Sequence, residues 1–75
     1  MNEIETRRQI ARLTHWGNVG WTRTVQDEYA AAFAATKPAI LQEAVTQAIR
    51  ERATRPQINQ LAEIYAHLQE ADDRL

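Results

Sequence analysis

Two glycines and two prolines constrain this chain more firmly than anything else in it. Gly17 and Gly20 lie three positions apart, and Pro38 and Pro56 are the only prolines among 75 residues. Glycine reaches positive φ and so favours turns and helix ends. Proline lacks an N–H and is best tolerated in the first turn of a helix. The chain is thereby cut into segments over residues 2–16, 24–36 and 38–53, with a last one starting near Pro56. None shows sustained period-two alternation with β-branched enrichment, the mark of a strand. The expected fold class is therefore all-α, a small antiparallel bundle of three to four helices, with residues 1–75 forming a single helical domain.

In the first segment Asn2 is placed to cap a helix, with Glu3 and Glu5 near its positive end. Ile10 and Leu13 are its clearest core residues, and Ile4, Ala11 and Trp16 are weaker ones. Arg8, Arg12 and His15 fall at i, i+4 and i+7 and would share one face. Gly17 should end this helix in a left-handed cap. Residues 17–23 read as a loop carrying Val19 and Trp21, and Thr24, with Asp27 three places on, reads as the next N-cap. Val25, Tyr29, Ala32 and Phe33 make the second stripe. Thr36 or Lys37 would cap the third helix. Its stripe, Ile40, Leu41, Ala44, Val45, Ala48 and Ile49, is the broadest in the chain and should be central. Thr54 or Arg55 would cap the fourth, with Ile58, Leu61, Ala62, Tyr65 and Leu68 inside and a fraying acidic end at residues 70–73.

Composition excludes several chemistries. With no cysteine in the chain, disulfides, thiolate nucleophiles and iron–sulfur clusters are out, as are most structural zinc sites. The same absence fits a reducing, cytoplasmic setting. No run approaches the roughly 20 apolar residues of a membrane span, and the polar start does not read as a signal peptide. The formal net charge is -1, whereas nucleic-acid-binding domains are usually basic overall.

No catalytic, cofactor or metal site is expected. Glu63, His67 and Glu70 could share a helix face around a metal, but a solvated charged face is the preferred reading. Asp27 and Glu28 are adjacent and diverge on a helix, so they make no acid–base pair. Gly17-Asn18-Val19-Gly20 lacks the Lys-Ser/Thr of a phosphate loop. Arg50, Arg52 and Arg55 form a basic cluster that complementarity to a helix C-terminus largely explains.

The most distinctive region spans residues 7–23. It holds Arg7, Arg8, Arg12 and Arg23, together with His15, Trp16 and Trp21. Aromatic rings beside guanidinium groups suit a single-stranded nucleic-acid platform, where bases stack and Arg meets phosphate. They equally suit a protein interface, where Trp and Arg are enriched. The alternative is that a tryptophan plugs the end of the core. The candidate partner-binding residues are Arg8, Arg12, Trp16, Trp21 and Arg23.

From Tyr29 onward the pattern resembles the folded domain of phage-type replicative helicase loaders, the loader-and-inhibitor family. Tyr29 and Phe33 match an aromatic and an apolar position on one helix. Leu41, Ala44, Val45 and Ile49 match the core of the next, and Pro56, Ile58 and Leu61 match the opening of the last. Trp16 matches an aromatic that closes an N-terminal helix. The family usually has tryptophan where Tyr29 stands, an aromatic where Arg55 stands, and a polar tail after this domain. The resemblance implies a non-enzymatic DNA-replication adaptor that binds a hexameric helicase, with at most weak nucleic-acid binding. The other readings are a nucleic-acid-binding module using Arg7 through Arg23, and a self-assembling helical structural protein.

Overall fold

The structure, a computed structural model, describes residues 3–74. The fold is all-α. Helix α1 (Glu3–Ala11) passes into a 3₁₀ segment (Arg12–Trp16) and is followed by α2 (Arg23–Ala32), α3 (Pro38–Glu51) and α4 (Ile58–Asp73). Cross-helix contacts set the directions. Arg7 meets Asp27, and Lys37 meets Asp73. Arg12 reaches Thr46, and Trp16 reaches Arg52. So α1 and α3 run one way and α2 and α4 the other, an antiparallel bundle in which α3 packs on both α1 and α4. No helix among the described residues is long and apolar enough to cross a membrane.

The core follows the broad stripe of α3. Ile40, Leu41, Ala44, Val45 and Ala48 are buried, joined by Ile10, Leu13, Phe33, Leu61 and Tyr65. Ile49, expected inside, is half-buried, and Ala30 is buried where Ala32 was expected. Ala11 and Ala62 lie on outer faces, and Ile4 is 74% exposed.

The helix starts differ from the sequence reading in ways the contacts explain. Asn2 lies outside the described residues. The N-cap of α2 is Thr22, not Thr24: its backbone is extended and its hydroxyl accepts the Val25 N–H at 3.3 Å. Pro38 opens α3 as expected, after Lys37 as N-cap, and the Lys37 N–H donates to the Tyr65 hydroxyl at 2.9 Å. The N-cap of α4 is Gln57, paired with Gln60 in a reciprocal capping box. Pro56 precedes it, buried, holding Arg55 out of helical geometry. The expected fraying end at residues 70–73 is helical: α4 runs through Asp73, with Arg74–Glu70 at 2.6 Å and Lys37–Asp73 at 3.8 Å.

The first helix also changes winding. Beyond Ala11 it tightens to three residues per turn. That brings Leu13 and Trp16, three apart, onto one line facing the core. Leu13 is fully buried and Trp16 packs at the margin. Gly17 follows at φ 99°, a conformation open to glycine at little cost, and its N–H returns to the Thr14 carbonyl at 2.7 Å.

Candidate interaction site

The region singled out in the sequence lies at one end of the bundle. There the 3₁₀ segment, the loop of residues 17–22, the start of α2 and the α3–α4 junction meet. The structure divides its candidate residues into scaffold and surface.

Trp21 belongs to the scaffold, contrary to its expected partner role. It is 5% exposed, and its indole N–H donates to the Thr14 hydroxyl at 3.0 Å. Its ring meets Tyr29 edge-on with centroids 5.1 Å apart. Over its other side lies the Arg55 guanidinium, 4.4 Å from the ring centroid. Arg55 donates from Nε to the Leu13 carbonyl at 2.9 Å and from Nη2 to the Gly17 carbonyl. One side chain thus ties the 3₁₀ segment, the loop and the α3–α4 junction together. The carbonyl of buried Leu13 needs a donor, and the planar guanidinium supplies it while also reaching the exposed Gly17 carbonyl and stacking. Nearby, the Tyr29 hydroxyl donates to the Pro56 carbonyl at 2.6 Å. Burial raises the Tyr29 pKa above its ordinary value, with Arg55 opposing.

Arg12 is a strap rather than a docking residue. It donates to Gln9 Oε1 at 2.8 Å, to Thr46 Oγ1 at 2.8 Å and to the Gln42 carbonyl at 3.3 Å. Those contacts fasten the end of α1 to α3. Arg8 is exposed and pairs with Glu5 at 3.0 Å. Arg7 lies between Glu3 at 3.5 Å and Asp27 at 2.9 Å, and the hydrogen bond to Asp27 raises its pKa. Exposed pairs like these are screened by solvent and add little to stability.

Trp16, His15 and Arg23 remain on the surface. Trp16 is half-buried: its indole N–H donates to the Arg52 carbonyl at 3.3 Å, and exposed His15 meets its ring edge-on at 5.1 Å. Arg23, the first residue of α2, is exposed. Of the nine Lys and Arg residues, Arg7, Arg8, Lys37 and Arg74 form ion pairs. Arg12, Arg23, Arg50, Arg52 and Arg55 form none among the described residues, and they occupy this half of the bundle. The Arg52 Nε is buried without a hydrogen-bond partner. Comparison with protein-family models, curated proteins and solved structures returned no match.

Two contributors were missed in the sequence. Arg55 was grouped with Arg50 and Arg52 as dipole compensation, yet it clamps the loop. Val19, noted only as a loop residue, is 96% exposed. Among the described residues, no group of three or more His, Asp and Glu side chains could hold a metal; Glu63, His67 and Glu70 make no such cluster.

Proposed function

We propose that this chain is a non-enzymatic adaptor that binds a protein partner through the Trp16 end of the bundle. The observation that carries the reading is Trp16 itself. It is anchored to the core margin and by a hydrogen bond to the Arg52 carbonyl, yet it keeps part of its ring at the surface beside His15. A partner covering it would bury a large, already ordered ring beside His15, the kind of aromatic anchor that interface hot spots favour. Trp21 and Arg55 hold the loop in place and do not touch the partner.

The partner class follows from the resemblance to replicative helicase loaders. Of the residues that carry that resemblance, Tyr29, Phe33, Leu41, Ala44, Val45, Pro56 and Leu61 are buried, and Trp16, Ile49 and Ile58 are half-buried. Such burial is common to helical bundles, and the helicase is the partner we propose on the resemblance alone. The test is titration of the purified hexameric replicative helicase of the host with the chain and with Trp16→Ala and Arg23→Glu. Saturable binding weakened at least roughly tenfold by Trp16→Ala, a loss of about 1.4 kcal/mol, supports the reading. Absence of binding by the parent chain removes the helicase as partner.

Nucleic acid is the competing ligand for the same arginines. Phosphate contacts would appear as a steep loss of affinity with salt, with a log–log slope of about -0.7 for each single-strand phosphate. With Trp21 buried, the stacking platform shrinks to part of one ring. Oligonucleotide binding at moderate salt that is lost in Arg23→Glu would reverse the order of the two readings.

A further inference from the structure

We propose that the partner segment bound at the Trp16 end is acidic, and that one of its carboxylates sits on the Arg52 guanidinium beside the exposed part of the Trp16 ring. The proposal rests on partner binding through Trp16 and adds the chemistry of what binds there.

Charge is divided unevenly in this chain. Residues 12–23 and 48–57, which build this end, hold Arg12, Arg23, Arg50, Arg52 and Arg55 against a single carboxylate, Glu51, for a formal charge of +4. The whole chain carries -1, so removing that +4 leaves -5 on the other residues. None of these five arginines forms an ion pair among the described residues, whereas the four other cations, Arg7, Arg8, Lys37 and Arg74, all do. An end of one sign with no counter-charge fixed against it draws a surface of the opposite sign and steers its encounter.

Arg52 is the cation placed to make the contact. Its carbonyl accepts the Trp16 indole N–H at 3.3 Å, so its side chain springs from the residue that borders the ring. The arginine side chains that donate hydrogen bonds are those of Arg7, Arg8, Arg12, Arg55 and Arg74; Arg52 is not among them. Its Nε is buried without a partner and is not the contact; it holds the inner edge of the group against the protein. Neither Nη is buried without a partner in this way, and the residue is only half-buried, so the outer edge stays open to a carboxylate. A guanidinium already held in place loses less side-chain freedom when a carboxylate closes on it, and its paired N–H groups suit the two oxygens. Arg12 and Arg55 already direct their N–H groups to partners within the chain, and they add charge alone.

An acidic protein segment fits this end better than nucleic acid does. The exposed part of one indole serves an apolar side chain but makes a poor platform for successive bases. The -5 on the rest of the chain repels a long phosphodiester that tracks past this end, whereas a short acidic segment stops where the arginines stop.

Two-dimensional ¹H–¹⁵N NMR of the full chain tests the proposal with two end-blocked peptides, Asp-Glu-Leu-Glu-Asp and its amide counterpart Asn-Gln-Leu-Gln-Asn. The acidic peptide should shift the Arg52 Nε–H and Trp16 indole N–H signals together, with a Kd of about 1 mM. The amide peptide, and the acidic peptide added to Arg52→Gln, should each bind at least roughly tenfold more weakly. The response should fade between about 0.1 and about 1 M salt, as the screening length falls from about 10 to about 3 Å. No response to the acidic peptide, or equal responses to the two peptides in the parent chain, overturns the proposal without any substitution. Tighter binding of a single-stranded oligonucleotide of equal charge overturns it in favour of nucleic acid. The same shifts from inorganic phosphate at equal concentration mark an adventitious ion only, and overturn it too. Helicase binding that needs Trp16 but ignores Arg52→Gln and salt leaves the Trp16 site standing and removes its acidic ligand. An intact peptide response without helicase binding keeps the acidic site and removes the helicase.

Discussion

Consider replacing Trp21 with alanine. A tryptophan buries roughly 150–250 Å², which at about 25 cal/mol/Å² amounts to about 4–6 kcal/mol of transfer free energy. That figure is an upper value, since the unfolded chain already hides part of the ring. Truncation of a core tryptophan to alanine costs about 3–5 kcal/mol. Here it also removes the surface under Arg55 and the donor to Thr14. At roughly 0.05–0.15 kcal/mol per residue, a chain of 75 residues has a total stability of about 4–11 kcal/mol. Trp21→Ala should therefore leave the protein barely folded or unfolded. Urea denaturation followed by far-UV circular dichroism would show a midpoint shifted far down at unchanged slope. Trp16→Ala, at a half-buried position, should cost only about 1–2 kcal/mol. A Trp21→Ala loss below about 1 kcal/mol, or one no larger than that of Trp16→Ala, would refute the assignment of Trp21 to the core.

Arg55→Ala leaves the carbonyl of buried Leu13 without its donor and should cost about 1–3 kcal/mol; Arg55→Lys should recover little, because lysine lacks the planar fork. Leu41→Ala, at a fully buried position of α3, should cost about 2–5 kcal/mol in the same denaturation assay. Burial raises the Tyr29 pKa in the folded state from its ordinary 10.0, so its contribution is fully present below that value. It is lost as pH rises through the raised native pKa, because the unfolded chain deprotonates first. Tyr29→Phe should flatten this alkaline decline in stability, and an equal decline in the variant would show that another group causes it.

The architecture could be read from the sequence because it rests on period and punctuation. The stripe from Ile40 to Ala48 has helical spacing, and Pro38 marks its start, so local pattern and burial agree. The helix caps were harder to place, because several neighbouring polar residues can cap and the tertiary contacts choose among them. Thr22 caps α2 because the chain enters α2 directly from buried Trp21; Thr24 lies too deep in the first turn. Once Thr22 is the cap, Trp21 falls just before it, a position where an apolar residue often packs onto the new helix. That was the available signal for its burial. Arg55 offered no comparable signal. Its partners Leu13, Gly17 and Trp21 are 34 to 42 residues away in sequence, and no periodicity links positions so far apart. Arg12 misled for a related reason: a basic residue on a short helix reads as solvated until a second helix presents Thr46 and the Gln42 carbonyl.

The central claim is that Trp16, and not Trp21, meets the partner. Acrylamide quenching of the intrinsic tryptophan fluorescence tests it on the unaltered chain, because the two rings differ in exposure before any partner is added. In the free protein, one emitting population should be quenched readily and the other hardly at all. Adding the replicative helicase should protect the readily quenched population and leave the other unchanged, with helicase fluorescence subtracted by a parallel titration of Trp16→Ala. If quenching is the same with and without saturating helicase, Trp16 does not lie in the interface and the proposed site is wrong.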